Sequence, residues 1–189
     1  MYGASVADRH VVFSMTASLD GFVAAPDGDI GWSAPDEELH RFHNALVRDV
    51  ALEICGRRLY ETMLAWDDEA FVASCGAVGR EFAAIWSAVP KVVFSRTLTS
   101  VQGSYRLARG SVADEIAAAS GTVSIGGAAL AAVAAEQDLI DEYRLFVAPV
   151  LLGGGTPYWP RGPEPRRLRL AQTQTFATGV VYRRFQRVR

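Results

Sequence analysis

Lysine is almost missing from this chain of 189 residues: Lys91 is the only one, and arginine supplies the rest of the 19 basic side chains. Against 21 acidic residues the formal net charge is −2. No excess of positive charge therefore speaks for nucleic acid or an anionic membrane as a partner. Cysteine is scarce as well. Cys55 and Cys75 lack a C-x-x-C spacing, form no disulfide framework, and give no sign of an oxidising compartment. No uninterrupted apolar run reaches the roughly 18 residues of a membrane helix, and the opening "MYGASVADRH" lacks the apolar core of a signal peptide. A cytoplasmic protein is expected. His40 and His43 lie three apart with no third ligand at a matching spacing, so no metal site is expected. No internal repeat, low-complexity block or linker divides the chain, which predicts a single domain over residues 1–189 with its core at about 10–187.

Half of the residues are hydrophobic, and they fall into alternating strand and helix patterns. "HVVFSMTASL" reads as a strand that ends at the turn dipeptide Asp20-Gly21. From Pro35 a helix is predicted, with Asp36, Glu37 and Glu38 in its first turn and Leu39, Phe42 and Leu46 on one face. "VALEICG" is a short strand, and "RRLYETML" begins a helix directly from Gly56. "REFAAIWSAV" is helical, "KVVFS" is a strand, and Ser111 with Asp114 makes a capping pair for a further helix. "TVSIGG" is a strand leading into the alanine-rich helix "AALAAV". A long strand, "DEYRLFVAPVLLGGG", follows, and "RLRLAQTQTFATGVVYRRFQRV" reads as an antiparallel hairpin turning near Ala177 to Gly179. Strands alternating with helices predict a mostly parallel sheet covered on both faces, made mixed by the closing hairpin.

Ligands of open α/β sheets bind beyond the carboxyl ends of the strands. Three such ends carry phosphate-binding chemistry. Arg57 and Arg58 follow Gly56; Ser95, Arg96 and Thr97 follow another strand; Gly126 and Gly127 follow Ile125. Free N–H groups at helix starts and planar guanidinium forks both suit phosphate. Singly these signals are weak, since neither G-x-G-x-x-G nor G-x-x-x-x-G-K-[ST] is present. "LLGGGTPYW" leads into no helical pattern and reads as a structural turn. Cys55 reads as a small buried apolar residue.

"SLDGFVAAPDGDIGW", "CGRRLYE", "PKVVFSRTL", "IGGAAL" and "LIDEYRLFVAPVLLGGGTPYW" occur in that order. Together they resemble the dihydrofolate-reductase-like superfamily, and within it the RibD C-terminal family, the reductase domain of riboflavin biosynthesis. The match runs from about Val11 to Phe185. The resemblance implies a three-layer α/β/α fold, NADPH as cofactor and a homodimer. Gly56, Arg57 and Arg58 match the family's segment at the cofactor phosphates, with Leu59 where many relatives carry threonine. Ser95, Arg96 and Thr97 match the segment at the adenosine ribose and its 2′-phosphate, and the lack of an acid there agrees with NADP over NAD. Ile125, Gly126, Gly127 and Ala128 match the turn beneath the cofactor. In dihydrofolate reductases the bond joining that glycine pair is cis.

The resemblance also places Asp20, Gly21 and Trp32 in a mobile loop over nicotinamide and substrate. Glu38 takes the place of the substrate-binding acid, with Glu37 and Asp36 as rivals one or two residues away. On this reading Glu38 and Asp20 are the candidate catalytic residues, and Trp32 and Phe42 bind substrate. A bland alternative stands beside each: three acids favour any helix start, and Asp-Gly favours any turn. The implied activity is hydride transfer from NADPH to a small heterocycle, first a phosphoribosylaminouracil. The alternatives are dihydrofolate or another pterin, and an NADP(H)-binding protein without catalysis. The chain contains no deaminase zinc motif.

Overall fold

A computed structural model describes residues 9–159 and 165–188; residues 1–8, read above for a leader segment, lie outside them. In chain order the elements are β1 (Arg9–Ser18), β2 (Phe22–Ala24), α1 (Glu37–Arg48), β3 (Val50–Gly56), α2 (Arg57–Met63), α3 (Glu69–Ser74), α4 (Gly76–Ala88), β4 (Lys91–Phe94) and β5 (Tyr105–Leu107). There follow α5 (Val112–Ala117), β6 (Gly121–Gly126), α6 (Ala128–Glu136), β7 (Glu142–Ala148), β8 (Thr156–Pro157), β9 (Leu168–Thr175) and β10 (Val181–Arg187). Eight strands form one sheet in the order β5-β4-β3-β6-β1-β7-β10-β9. The first six in that order run parallel. The last two form the expected antiparallel hairpin on β7. β2 and β8 pair separately as a small ribbon.

Successive strand residues point to opposite faces, which sorts the core into layers. Ile54, Val92 and Leu145 face α5 and α6, where Val112, Ile116, Ala131 and Ala134 meet them. Their neighbours Cys55, Val93 and Phe146 face the other way, toward Tyr60 of α2, Phe82 and Trp86 of α4, and Leu39 of α1. This is the three-layer α/β/α arrangement, and it explains why the central strands are apolar on both sides. Among the described residues no helix is long and apolar enough to cross a membrane.

Local chemistry sets the helix starts. Asp36 Oδ1 accepts from Leu39 N–H at 2.9 Å, so the first helix begins at Glu37 behind an aspartate cap. Ser111 and Asp114 form the full reciprocal capping box of α5. α6 is apolar almost all round and buries Ala131 and Ala134 completely, as its small side chains permit close approach to the sheet. The strand through Glu142 stops at Ala148, short of the glycine cluster expected to end it, because Pro149 has no N–H for a ladder. The two α1 histidines serve packing: the His40 ring lies 5.7 Å from Trp66 and 5.6 Å from Phe82, and His43 lies 4.3 Å from Phe146.

Candidate functional site

Strand register fixes the first part of the site. Gly56 lies opposite Phe94, and Cys55 lies opposite Gly126. Three adjacent strands, β4, β3 and β6, therefore end at one level, and the segments Ser95–Thr97, Arg57–Arg58 and Gly127–Ala128 leave the sheet side by side. Arg57, Arg58 and Arg96 are exposed there. Arg57 Nη1 stands 3.6 Å from Glu61 Oε1, a loose pair along the helix. The Arg96 guanidinium has no ion-pair partner among the described residues. Ser95 spends its hydroxyl on the turn itself, accepting from Thr97 N–H at 3.1 Å and Leu98 N–H at 3.0 Å.

The two glycines of the third turn answer different demands. A Cβ on Gly126 would lie 2.2 Å from Leu59 Cδ2 and 2.4 Å from Glu53 Oε1, so it would require both side chains to move. Gly127 has φ +94° with open space where its Cβ would be, a conformation in which other residues are strained. The bond between them is trans, since the described residues contain no cis peptide, which corrects the expectation drawn from dihydrofolate reductases. The positive φ of Gly127 alone turns the strand into α6. With open space over Gly127, free N–H groups at the start of α6 and guanidinium groups on the two neighbouring turns to one side, this rim suits a polyanion.

β1 divides the site. Its pairing with β6 ends at Phe13–Ile125, but it continues beside β7 to Ser18–Ala148. Beyond that step lies a cavity of about 220 Å³. Thr16 and Ala148 line it from the sheet, Val150 from the loop after β7, Trp32 and Asp36 from the approach to α1, and Thr178 from the hairpin turn. None of the three phosphate-type turns contributes to its wall.

Of the three candidate acids at the start of α1, Asp36 is the one that lines the cavity. Glu38 is exposed, and its Oε2 accepts from Ala177 N–H at 3.2 Å, tying α1 to the hairpin. Glu37 pairs with Arg41 one turn on. Asp36 is the carboxylate at the cavity, with Oδ1 held by Leu39 N–H and Oδ2 without a partner among the described residues. Phe42 also stands away from the wall, packed edge-on against Phe146, Phe176 and Tyr182. Trp32 does line the cavity, its Nε1 donating to Asp29 O at 3.2 Å.

Asp20 acts as a latch between loops. It accepts from Ser18 Oγ at 2.6 Å, Leu152 N–H at 3.1 Å and Gly153 N–H at 2.7 Å. The Ser18 hydroxyl, helped by these N–H groups, holds its carboxyl below the usual aspartate range. Replacing Asp20 with alanine is expected to speed hydrogen exchange at the Leu152 and Gly153 amides while leaving strand amides of β1 protected; unchanged exchange at both would refute the latch. Thr16 and Thr178 were missed in the sequence. Thr16 had a signal, because Ser14, Thr16 and Ser18 alternate with apolar residues; Thr178, at a distant turn, had none.

Comparison with known proteins now completes the picture. The family model for the RibD C-terminal domain matches residues 9–124 and 120–182. A Shewanella sp. PV-4 protein, provisionally assigned to riboflavin biosynthesis, is 25% identical, with a TM-score of 0.75 over 95% of this chain and 99% of its own. The Thermotoga maritima diaminohydroxyphosphoribosylaminopyrimidine deaminase/5-amino-6-(5-phosphoribosylamino)uracil reductase is 14% identical at a TM-score of 0.64, over 96% of this chain and 57% of its own. Enterococcus faecalis dihydrofolate reductase, solved with NADP(H), is 11% identical at a TM-score of 0.61, over 94% of this chain and 96% of its own. The last two likenesses are of fold. With its sheet order, its glycine turn and a family match over most of its length, the chain belongs to the RibD C-terminal domain family.

Proposed function

We propose that the protein is an NADPH-dependent reductase acting on a small heterocyclic substrate. The observation that carries this reading is the common level of three neighbouring turns, the Gly56–Arg58 turn in the middle and the open glycine Gly127 at one flank. Gly56 to Arg58 and Gly126 to Ala128 hold the pyrophosphate, and Ser95 to Thr97 hold the adenosine end. The bound dinucleotide supplies a hydride. The chain's own residues do the rest: the turns fix the phosphates, Trp32 walls the cavity, and Asp36 accepts N–H groups of the ring and orients it.

Arg96, whose guanidinium has no ion-pair partner among the described residues, reads the 2′-phosphate. Removing a charge-assisted hydrogen bond costs about 1.5–3 kcal/mol, so Arg96→Ala is expected to weaken NADPH binding about ten- to a hundredfold and leave NADH binding unchanged. Fluorescence titration with both nucleotides checks this, and an equal loss for the two would refute the assignment.

The family and the Shewanella likeness support a riboflavin-type substrate, a ribosylaminouracil phosphate. A second reading has one observation in its favour: the Asp36 carboxylate at the cavity wall suits the N–H donors of a pterin or dihydrofolate. NADPH oxidation measured with each substrate separates them. Tight NADPH binding without turnover of either would mark a binding protein instead.

A further inference from the structure

β3 carries an acid where a strand covered on both faces should be apolar. Glu53 is 5% exposed. It lies in register with Ser124 on β6 and Lys91 on β4, so the three side chains share the face toward α2 and α4. Its carboxyl reaches from there toward the strand ends. Glu53 Oε1 lies only 2.4 Å from the point where a Cβ of Gly126 would be. The space left by the first glycine of the pair is thus filled by a carboxyl group from the neighbouring strand, roofed by Leu59 of α2.

We propose that Glu53 is a positioning residue for the Gly126–Gly127 turn, and that its protonated form shapes the turn for an anionic ligand while its ionised form opposes that ligand. The proposal rests on the reading of this turn as a dinucleotide phosphate site.

The surroundings give the ionised form no direct ion pair among the described residues. Lys91, the only lysine, gives its ammonium hydrogen bonds to Trp86 O, to Val89 O at 2.8 Å and to Ser104 Oγ at 2.7 Å, and acts on Glu53 only through its charge. Cys55 on the same strand and Tyr105 on β5 are both neutral near pH 7, the thiol pushed up to about 12 and the phenol raised above its usual value, both chiefly by burial. Ser124 offers one hydroxyl, and α2 presents the apolar Leu59. Burial accordingly pushes the Glu53 carboxyl up to about 8, against the weaker pull of the Ser124 hydroxyl and the Lys91 charge. Below that pH the acid is neutral and carries a proton of its own. Above it, a buried negative charge stands directly beneath the turn expected to receive phosphate. Binding of the anion and ionisation of Glu53 must then oppose each other reciprocally.

The test is the NADPH dissociation constant, read by fluorescence titration between pH 6.5 and 9.5 on the wild-type protein, Glu53→Gln and Ser124→Ala. In the wild type, Kd is expected to stay level to about pH 7.5 and to rise about tenfold by pH 9. In Glu53→Gln the ratio of Kd at pH 9 to that at pH 7 should approach one. Ser124→Ala, which removes the hydroxyl that favours the ionised form, should move the rise to higher pH, and it serves as the second variant should the glutamine protein fail to fold. A level wild-type profile, a rise that persists in Glu53→Gln, or an unmoved rise in Ser124→Ala would each overturn the proposal. Absence of NADPH binding by the wild type at pH 6.5 would instead overturn the reading of the turn itself.

Discussion

Alanine at Gly155 is expected to destabilise the protein by about 4 kcal/mol, while alanine at Gly154, one residue earlier, changes stability by less than about 0.5 kcal/mol. The three glycines Gly153, Gly154 and Gly155 look alike in the sequence but differ in what surrounds them. Gly155 has φ +124°, and a Cβ there would lie 1.9 Å from the carbonyl oxygen of Ala24 and 3.0 Å from its carbon. Those are backbone atoms of β2, which cannot swing aside as a side chain could. The β8 partner Thr156 pairs with Ala24 itself, so the clash must break the ribbon as well as strain the backbone. Gly153 has φ +71° with open space around it, and alanine there carries only the left-handed penalty of about 1–2 kcal/mol. A Cβ on Gly154 would meet only Pro26 Cγ, at an ordinary 3.6 Å. Urea unfolding of the three variants should rank them Gly155, Gly153, Gly154 in order of loss. Equal losses would refute the crossing of β2 and β8 described here.

Acid should weaken the fold through His43. Its ring rests on Phe146, and burial lowers its pKa from 6.5 to about 4, with a small push from His40. The unfolded chain takes up a proton as pH falls through 6.5, whereas the folded chain resists until about 4. The stability given by the neutral ring is therefore complete above pH 6.5 and is lost progressively as pH falls toward 4. At pH 5 the loss is about 2 kcal/mol. His10 works in the opposite sense, since the hydrogen bond and charge of Glu142 raise its pKa, and its contribution is lost as pH rises. Substituting His43 with phenylalanine isolates the first effect. Between pH 7.5 and pH 5 the variant should lose about 2 kcal/mol less than the wild type in urea unfolding; equal losses would remove His43 as the cause.

The sequence exposed the elements whose signals are local. The strand ends at Gly56, Ser95 and Gly126 were readable because each couples an apolar run to an abrupt change of residue type, and the sheet order then set them side by side. Ser111 and Asp114 were readable because a capping box lies within four residues. Which of the first-turn acids borders the cavity was not. Successive residues in the first turn of a helix differ by about 100° in direction, so moving the cap by one position exchanges Glu38 for Glu37 or Asp36. Only the hydrogen bond from Leu39 to Asp36, and the ties of Glu37 to Arg41 and Glu38 to Ala177, decide among them. The β2–β8 ribbon escaped for another reason: it joins segments over a hundred residues apart through two or three residues each. Glu53 was the overlooked clue, a charge inside "VALEICG", where a strand covered on both faces has no solvent to offer it.

The central place of β1 bears on how the molecule is made. Val11 pairs with Val123, and Val12 stands beside Glu142, so β1, once made, waits for more than a hundred further residues before either neighbour exists. Through that interval an apolar ribbon has both edges open to any other chain. Closing such distant pairs makes for folding in milliseconds to seconds rather than microseconds, and it leaves the nascent protein dependent on whatever shields exposed strands during synthesis.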